Sequence, residues 1–209
     1  MRHAGLFLAA VLTCATAAAQ TSARRTIGRE TDTETIWTGR YSNCDYGYYV
    51  TLPSGIVGHG SKAPNPNHGV AINPAAPKSI TVFKVDESNR YIDVFSFYDV
   101  EDHEDSTSAT LDYYLSLGEI GSEKNVDRLG LRSFSLAWLS AKRAEDRWTE
   151  NSTVIRRDRV IAYRRSGGIL YQITLQSPES TYAHDEKLFE LIIAGFHLTK
   201  LPNGQCSND

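Results

Sequence analysis

Residues 153–176 read TVIRRDRVIAYRRSGGILYQITLQ, the clearest secondary-structure signal in the chain. Two runs rich in apolar residues, 153–165 and 168–176, flank the turn sequence Ser166-Gly167-Gly168, and this arrangement predicts a β-hairpin. The second run alternates apolar with polar residues, and the apolar ones are Ile169, Tyr171, Ile173 and Leu175. Such alternation is typical of a strand that packs on one face and meets water on the other.

A helix and a short strand are predicted after this hairpin. The helix covers 182–194, and its apolar stripe is formed by Leu188, Leu191 and Ile192 and is widened by Phe189 and Ile193. Gly195 ends it, because glycine readily takes the backbone conformation that follows a last helical turn. The residues after Gly195 then return as a short strand over 196–199.

Upstream of the hairpin, the pattern predicts strands and a second helix. The strands cover 46–52, 79–85, 90–98 and 134–147, and Trp138 and Trp148 are apolar anchors of the last one. Ser106 or Ser108 can cap the helix, which runs to about Leu117. This order is typical of an α+β fold in which an antiparallel β-sheet is covered by two main helices.

The first residues have the features of a secretory signal peptide. Arg2 precedes an apolar run over 4–12, and small residues lead up to a cleavage site between Ala19 and Gln20. The alternative is a lipoprotein signal at Cys14, although the residues before that cysteine fit its motif poorly. We therefore expect a secreted or periplasmic protein without a membrane span.

Charge and length limit the kind of protein further. Cleavage after Ala19 removes Arg2 and leaves 21 Lys and Arg against 25 Asp and Glu, a net charge of −4. An acidic chain of this kind does not favour nucleic acid as a partner, and we expect a monomer. We divide the chain into the signal peptide (1–19), a mobile polar leader and entry segment (20–43), one α+β domain (44–206) and a tail (207–209).

Two cysteines remain after cleavage, Cys44 and Cys206. In an exported protein two cysteines usually pair, so we expect a disulfide that closes almost the whole domain. The alternative is two free thiols. A disulfide would require the start and the end of the domain to lie within about 7 Å of each other at the Cα atoms.

Residues 53–78 are rich in Pro, Gly and Asn and show no period, so they are interpreted as a long loop. A loop of this length inside a compact domain is either functional or contains an unrecognised element. Its candidate binding residues are His59, Ser61, Asn65, Asn67 and His68. The other interpretation is an ordered surface loop whose histidines bond to the backbone.

Histidines also raise the question of a metal. His59 and His68 could join His103 only through the tertiary fold, and a zinc site needs three or four ligands. We therefore assign no metal and no cofactor. Ser61 with His68 would be the start of a hydrolase site, but no recognisable catalytic motif surrounds them, so a binding role is favoured over an enzymatic one.

Aromatic residues are dense where the domain begins. They are Trp37, Tyr41, Tyr46, Tyr48 and Tyr49. Aromatic side chains are enriched at binding surfaces, but strands also pack with them, so both interpretations stay open.

Several core positions resemble those of exported PsbP-like domains. The resemblance rests on Tyr48-x-Val50-x-Leu52-Pro53-x-Gly55, Gly168-Ile169-x-Tyr171-x-Ile173-x-Leu175, Phe189-x-x-Ile192 and Phe196-x-Leu198. It implies an α/β/α sandwich and a non-enzymatic binding or assembly role with an unknown protein or small-molecule partner. The chain departs from the pattern at 56–60, where such domains often resume a strand, and no metal ligand of the family maps onto it.

These observations favour an exported accessory or binding protein of one domain. Two alternatives remain: a small secreted hydrolase or metal-dependent enzyme that uses His59 and His68, and an envelope protein with a purely structural role.

The first testable prediction concerns processing. Protein secreted by its own host should begin at Gln20 and should gain two protons in mass on reduction, because one Cys44–Cys206 bond is broken. Intact-mass spectrometry before and after reduction measures both quantities. A lipid-modified chain beginning at Cys14, or an unchanged mass on reduction, would contradict the respective expectation.

Overall fold

The computed structural model describes residues 25–27, 34–60, 69–81, 89–99, 107–117 and 125–200. The strands are β1 (Arg25–Ile27), β2 (Glu34–Thr38), β3 (Arg40–Asn43), β4 (Tyr48–Thr51), β5 (Val57–Gly60), β6 (Gly69–Ile72), β7 (Tyr91–Tyr98), β8 (Asp127–Leu136), β9 (Leu139–Glu150), β10 (Thr153–Arg164), β11 (Ile169–Pro178) and β12 (Phe196–Leu198). The helices are α1 (Thr107–Leu117) and α2 (Glu179–Ala194). Neither helix is long and apolar enough to cross a membrane.

Nine of these strands form one antiparallel sheet in the order β1-β2-β5-β6-β7-β11-β10-β9-β8. The predicted hairpin is confirmed as β10–β11, which pair from Ile155 and Pro178 to Arg164 and Ile169. The strand predicted over 90–98 is confirmed as β7, which pairs with β11. The helix predicted to run to about Leu117 is confirmed as α1, which contains Ser108, whereas Ser106 lies outside the described residues. The strand β12 is also confirmed, but it belongs to a second sheet, β12-β4-β3.

The first face of the large sheet is covered by α2 and by the three-stranded sheet together. Tyr182, Phe189 and Ile192 of α2 pack with apolar residues of β10 and β11 in the main core cluster. Tyr48 of β4 belongs to the same cluster, and its ring meets Tyr171 of β11 at a centroid distance of 5.5 Å. Burial of these apolar side chains is the main favourable contribution to folding on this face.

The second face is covered by α1 over its middle strands. Leu111 and Leu115 pack against Ala144, Ile161 and Leu170 in a separate core cluster. The α+β class and the antiparallel sheet are therefore confirmed, whereas cover by two main helices is not. Nine strands span roughly 38 Å, and one helix is only about 10 Å wide, so two helices leave much of the sheet to other cover.

The helix predicted over 182–194 begins three residues earlier, at Glu179, and its buried face matches the predicted stripe only at Phe189 and Ile192. The buried residues are Tyr182, Asp185, Phe189 and Ile192. Leu191 is 55% exposed, so its place in the stripe was wrong. The acidic Asp185 takes an inward position because Arg90 binds it in the core.

The prediction of a single strand over 134–147 is wrong. The chain reverses at Ala137 and Trp138, and β8 pairs back on β9 from Leu136 and Leu139 onward. Trp148 is buried as expected, but Trp138 is 74% exposed and anchors nothing in the core.

Two regions interpreted as irregular contain strands. In the leader (20–43), β1 pairs with β2, and β3 begins the small sheet. In the loop (53–78), β5 and β6 pair with each other, and β6 also pairs with β7. The predicted strand over 79–85 is absent over 79–81, and its remaining residues lie outside the described part.

Gly69 explains why glycine occurs in one of these strands. A Cβ atom at Gly69 would lie 2.0 Å from the carbonyl oxygen of Val94 on β7. Glycine in a strand often marks such a close approach of two backbones, and composition alone makes it look like a loop residue.

We predict that Gly69→Ala lowers the free energy of unfolding by about 2 kcal/mol or more, because the clash is with backbone and cannot be relieved by a rotamer change. Gly130→Ala on β8 is the matched control, since nothing lies within 4 Å of its Cβ position, and it should change stability by less than about 0.5 kcal/mol. Urea denaturation measures both. Equal stability of the two variants would show that β6 does not lie this close to β7.

Candidate functional site

The predicted loop site is described only at His59, which lies on β5. Its side chain is buried, and its Nε2 atom lies 3.1 Å from the carbonyl oxygen of Ser79. The other candidates, Ser61, Asn65, Asn67, His68 and His103, lie outside the described residues, so the proposed grouping stays a prediction. Among the described residues, no group of three or more His, Cys, Asp or Glu could hold a metal ion.

The aromatic residues near the start of the domain are largely core residues. Tyr41, Tyr46 and Tyr48 are buried, and Trp37 packs edge-on against Tyr41 at 5.1 Å. Tyr49 is half-buried, with the guanidinium of Arg40 over its ring at 3.8 Å. Packing of the small sheet therefore accounts for this set.

The most exposed large apolar side chain in the described part of the chain is Trp138 at the β8–β9 turn. Ala137 and Trp138 have φ values of 45° and 69°, so both take the left-handed backbone conformation of a type I′ turn. Residues with a Cβ atom are disfavoured there by roughly 1–2 kcal/mol each. A bulky aromatic ring is thus held in water on a strained turn.

Strand β8 leads into this turn and forms the outer edge of the large sheet. Within the described residues its sole neighbour is β9. A bulge interrupts the pairing between Arg128 and Gly130, after which the register with β9 is continuous to Leu136. Leu129 and Leu131 are 43% and 52% exposed. We call residues 127–138 the β8 edge.

A second unusual feature is a cluster of charged side chains on the second face, the Asp146 cluster, formed by Arg128, Asp146, Arg157 and Arg159. Alternation along β10 places Arg157 and Arg159 on the face that α1 covers, and Asp146 of β9 lies directly opposite Arg157. The Oδ2 atom of Asp146 accepts hydrogen bonds from Nη2 of Arg157 at 2.9 Å and from Nη2 of Arg159 at 3.3 Å. Arg128 donates to Oδ1.

Burial affects the groups of this cluster unequally. Three guanidinium groups bind the one carboxylate of Asp146, and Asp146 and Arg159 are buried. Burial opposes the charged form of Asp146, but hydrogen bonds from Arg157 and Arg128 outweigh it and lower its pKa. Burial, together with the neighbouring Arg157, lowers the pKa of Arg159 to about 10.

The Asp146 cluster also holds α1. Nη2 of Arg159 donates to the carbonyl oxygen of Leu115 at 3.2 Å, in the last turn of the helix. A cation is favoured at that end because the terminal carbonyls carry partial negative charge. Nevertheless, Nε of Arg157 and both Nε and Nη1 of Arg159 are buried without a hydrogen-bond partner.

On the first face two groups of ion pairs connect α2 to the large sheet. Arg143 on β9 binds both carboxylate oxygens of Asp158 through Nε at 2.9 Å and also pairs with Glu190 of α2. Arg90 binds Asp185 of α2 through two bonds of 2.7 Å. These pairs fix α2 on the sheet.

Sequence reasoning missed both the β8 edge and the Asp146 cluster. Ala137-Trp138 lacks the Asn or Gly that marks a type I′ turn, so the hairpin gave no signal. The cluster did leave a trace: the run Arg156-Arg157-Asp158-Arg159 lies within a strand that is otherwise apolar, which indicates buried charge.

No protein-family model matches the chain, and no curated protein matches it. Several solved structures do match the chain. The solution structure of cyanobacterial PsbP (CyanoP) from Synechocystis sp. PCC 6803 is 17% identical, with a TM-score of 0.50, over 78% of this chain and 92% of that chain.

Two further solved structures match less closely. LpqN of Mycobacterium tuberculosis, described as involved in cell envelope biogenesis, is 11% identical, with a TM-score of 0.47, over 81% of this chain and 86% of that one. The Ran-binding protein Mog1p of Saccharomyces cerevisiae is 11% identical, with a TM-score of 0.48, over 76% of this chain and 94% of that one. The PsbP-like resemblance is thus confirmed as a resemblance of fold, which by itself assigns no activity.

We predict that Asp146→Asn lowers the free energy of unfolding at pH 7 by about 3 kcal/mol, because it removes a buried carboxylate that pairs with the buried guanidinium groups of Arg157 and Arg159. Asp127→Asn is the control: Asp127 pairs with Arg147 at the surface, at 3.1 Å, and its loss should cost less than about 0.5 kcal/mol.

The effect should depend on pH with a defined sign. Folding lowers the pKa of Asp146. Its carboxylate therefore contributes fully to the free energy of unfolding above about pH 4, the pKa of aspartate in the unfolded chain, and this contribution is lost as pH falls through the lower pKa of the folded state. Urea denaturation of the natural chain and Asp146→Asn from pH 7 to pH 2 should show converging stabilities. A constant difference across this range would contradict the assignment.

Proposed function

We propose that the chain is an exported, non-enzymatic accessory protein that docks onto a partner protein through the β8 edge. The observation that carries this proposal is Trp138, which is 74% exposed on a turn whose two residues both have positive φ. Strained backbone is found preferentially where a side chain must be presented for a function.

The energetics of Trp138 favour docking. A tryptophan side chain can bury about 150 Å² or more, which corresponds to roughly 4 kcal/mol at about 25 cal/mol per Å². Tryptophan is also among the residues that dominate binding energy at interfaces. The free protein leaves most of this energy unused, because Trp138 is 74% exposed.

The partner chemistry follows from the strand next to Trp138. An open edge offers backbone N–H and C=O groups to an extended segment, which can add to the sheet as a further strand. Leu129 and Leu131 supply apolar contacts, whereas the exposed Arg132 already has a carboxylate partner in Glu145 at 3.8 Å. We therefore expect an extended partner segment that is mainly apolar.

Export and the disulfide are part of the proposal, and the chain ends support the disulfide. The backbone N–H of Thr199 donates to the carbonyl of Gly47 at 2.9 Å, which places the end of the described chain beside the turn that begins at Cys44. Cys206 lies outside the described residues. Six residues after Lys200 can span up to about 20 Å, more than a disulfide requires.

The sequence-based proposal that the loop with Ser61, Asn65, Asn67 and His68 joins the binding surface is retained, with His59 as its buried support. The alternative of a hydrolase or metal enzyme gains no support from His59, because its imidazole is buried and faces the Ser79 carbonyl.

Photo-crosslinking in the native host tests the docking surface. A photoreactive amino acid at position 138 should give one protein adduct, whereas the same group at Ser152, the tip of the hairpin at the opposite end of β9, should not. Mass spectrometry identifies the adduct. Equal labelling at both tips would refute docking, and an adduct with a second copy of this chain would replace the accessory role with self-association.

We further predict that Trp138→Gly abolishes the adduct-forming interaction without lowering stability. Glycine removes the ring and relieves the positive φ, so the free energy of unfolding should stay within about 1 kcal/mol of its original value or rise. Ala137→Gly relieves strain in the same turn but keeps the ring, and it should still bind. Retained binding by Trp138→Gly, measured with the identified partner in pull-down, would contradict the role of Trp138.

A further inference from the structure

Strand β8 directs its backbone hydrogen-bonding groups alternately toward β9 and toward the open side of the sheet. The turn at 137–138 has two residues, so Leu136 and Leu139, which flank it, exchange backbone hydrogen bonds. Bonded and non-bonded pairs then alternate along an antiparallel ladder. The residues bonded to β9 are Leu136, Phe134 and Arg132. The residues whose N–H and C=O groups point away from β9 are Leu131, Ser133 and Ser135.

These outward backbone groups are available to a further strand. All three residues are exposed, and no hydrogen bond from the described part of the chain reaches their outward groups. The bulge between Arg128 and Gly130 interrupts the alternation at one end, and the turn at 137–138 ends it at the other. The usable edge therefore covers residues 131–135, which is about 17 Å at about 3.4 Å per residue.

The size of this edge favours a short segment over a second folded subunit. A stable interface buries about 800 Å² on each partner. A strip about 17 Å long and one strand wide offers much less, even when Trp138 adds about 150 Å² or more. An extended segment can use the strip fully, because its own backbone groups supply the hydrogen bonds.

The direction of the segment follows from the ladder. In an antiparallel pair each outward residue exchanges both of its backbone hydrogen bonds with one residue opposite, and this pairing is more stable per residue than a parallel one. The strand pairs described for both sheets are all antiparallel. An antiparallel segment on β8 begins beside Trp138 and runs toward Leu129.

The side chains of β8 offer apolar contacts on both faces of the sheet. Leu131 is 52% exposed and lies opposite Ala144 of the second-face core cluster. Phe134 is half-buried and lies opposite Ala141 of the first-face cluster. Directly opposed residues of neighbouring strands share a face and contact each other, so apolar residues at successive positions of the segment would both be covered.

We propose that the partner contributes an extended, mainly apolar segment of about five residues, which adds antiparallel to β8. The segment exchanges backbone hydrogen bonds with Leu131, Ser133 and Ser135, and its N-terminal end lies beside Trp138. It contains no proline at the bonded positions, because proline has no N–H group to donate. This inference rests on the proposed docking through the β8 edge and adds the type of bond, the direction and the register.

A proline substitution tests the backbone bonds in a chain that carries the photoreactive residue at 138 in the native host. Ser133→Pro removes an outward N–H group and no bond to β9, and edge strands tolerate proline. Adduct yield should fall at least about fivefold, the effect of one lost hydrogen bond. Val154→Pro is the matched control, because Val154 is 38% exposed beside the opposite hairpin tip and forms a non-bonded pair with Thr149. It should leave the yield unchanged.

The outcomes of this test separate the two proposals. An equal adduct yield in folded Ser133→Pro, with urea denaturation as the check of folding, would overturn strand addition and leave docking through Trp138 intact. No adduct even with Ser133 in place would refute docking itself.

Two photoreactive positions determine the direction without any proline. With the group at 129 or at 138, mass spectrometry should locate two attachment sites within one partner segment, about eight residues apart, and the site from 138 should be the N-terminal one. The reverse order, attachment sites in separate parts of the partner, or adducts within this chain or a second copy of it would overturn the proposal.

Amide hydrogen exchange on the mature chain alone tests the register. The outward amides of Leu131, Ser133 and Ser135 should exchange at least about tenfold faster than those of the residues bonded to β9. Equal protection of the two sets would show that the outward groups are already bonded, and this result would overturn the proposal.

Discussion

The burial of β10 on both faces is the constraint on which much of the structure depends. This strand lies between β9 and β11, with α2 on one side and α1 on the other, and most of its residues are buried. It nevertheless carries Arg157, Asp158 and Arg159 in succession. A buried charge is costly unless it is paired, so each of these side chains needs a partner from a neighbouring element.

Because side chains alternate along β10, these charges lie on opposite faces of the sheet, and the partners that compensate them differ between the two faces. On the first face, Asp158 is bound by Arg143 and by the hydroxyl of Tyr182, which belongs to α2. On the second face, Arg157 and Arg159 share Asp146, and Arg159 reaches the end of α1. Buried ion pairs contribute little net stability, but misplacing one is expensive, so these pairs specify where both helices lie.

The sequence predicted the centre of this fold better than its edges. Alternation and the turn at Gly167-Gly168 are local signals, and they located β10–β11 correctly. In contrast, β6 was missed because its glycine is required by contact with Val94 on another strand, which composition does not reveal. A contact that is distant along the chain leaves no local period, and the pattern then resembles a loop.

The buried charges were missed for a related reason. Asp185 was not expected on the buried face of α2, because an acidic residue is expected to face solvent unless its partner, here Arg90, is known. The same applies to the Asp146 cluster, whose members come from three strands. The one local signal of buried charge was the run of charged residues at 156–159 within an otherwise apolar strand.

The two hairpin tips of β9 show that turn formation does not explain Trp138. Both tips place two non-glycine residues at positive φ, Ala137-Trp138 at one end and Asn151-Ser152 at the other. Asparagine tolerates this conformation because its short polar side chain can bond locally, whereas a tryptophan gains nothing from it. The two helices pack on strands that hold them through charged and apolar contacts. Strand β8 lies at the edge of the sheet, where Leu129, Leu131 and Trp138 are exposed to water. If β8 served only to end the sheet, charged residues at these positions would make it more stable and less prone to association. This is the physical reason for treating the β8 edge as a binding surface.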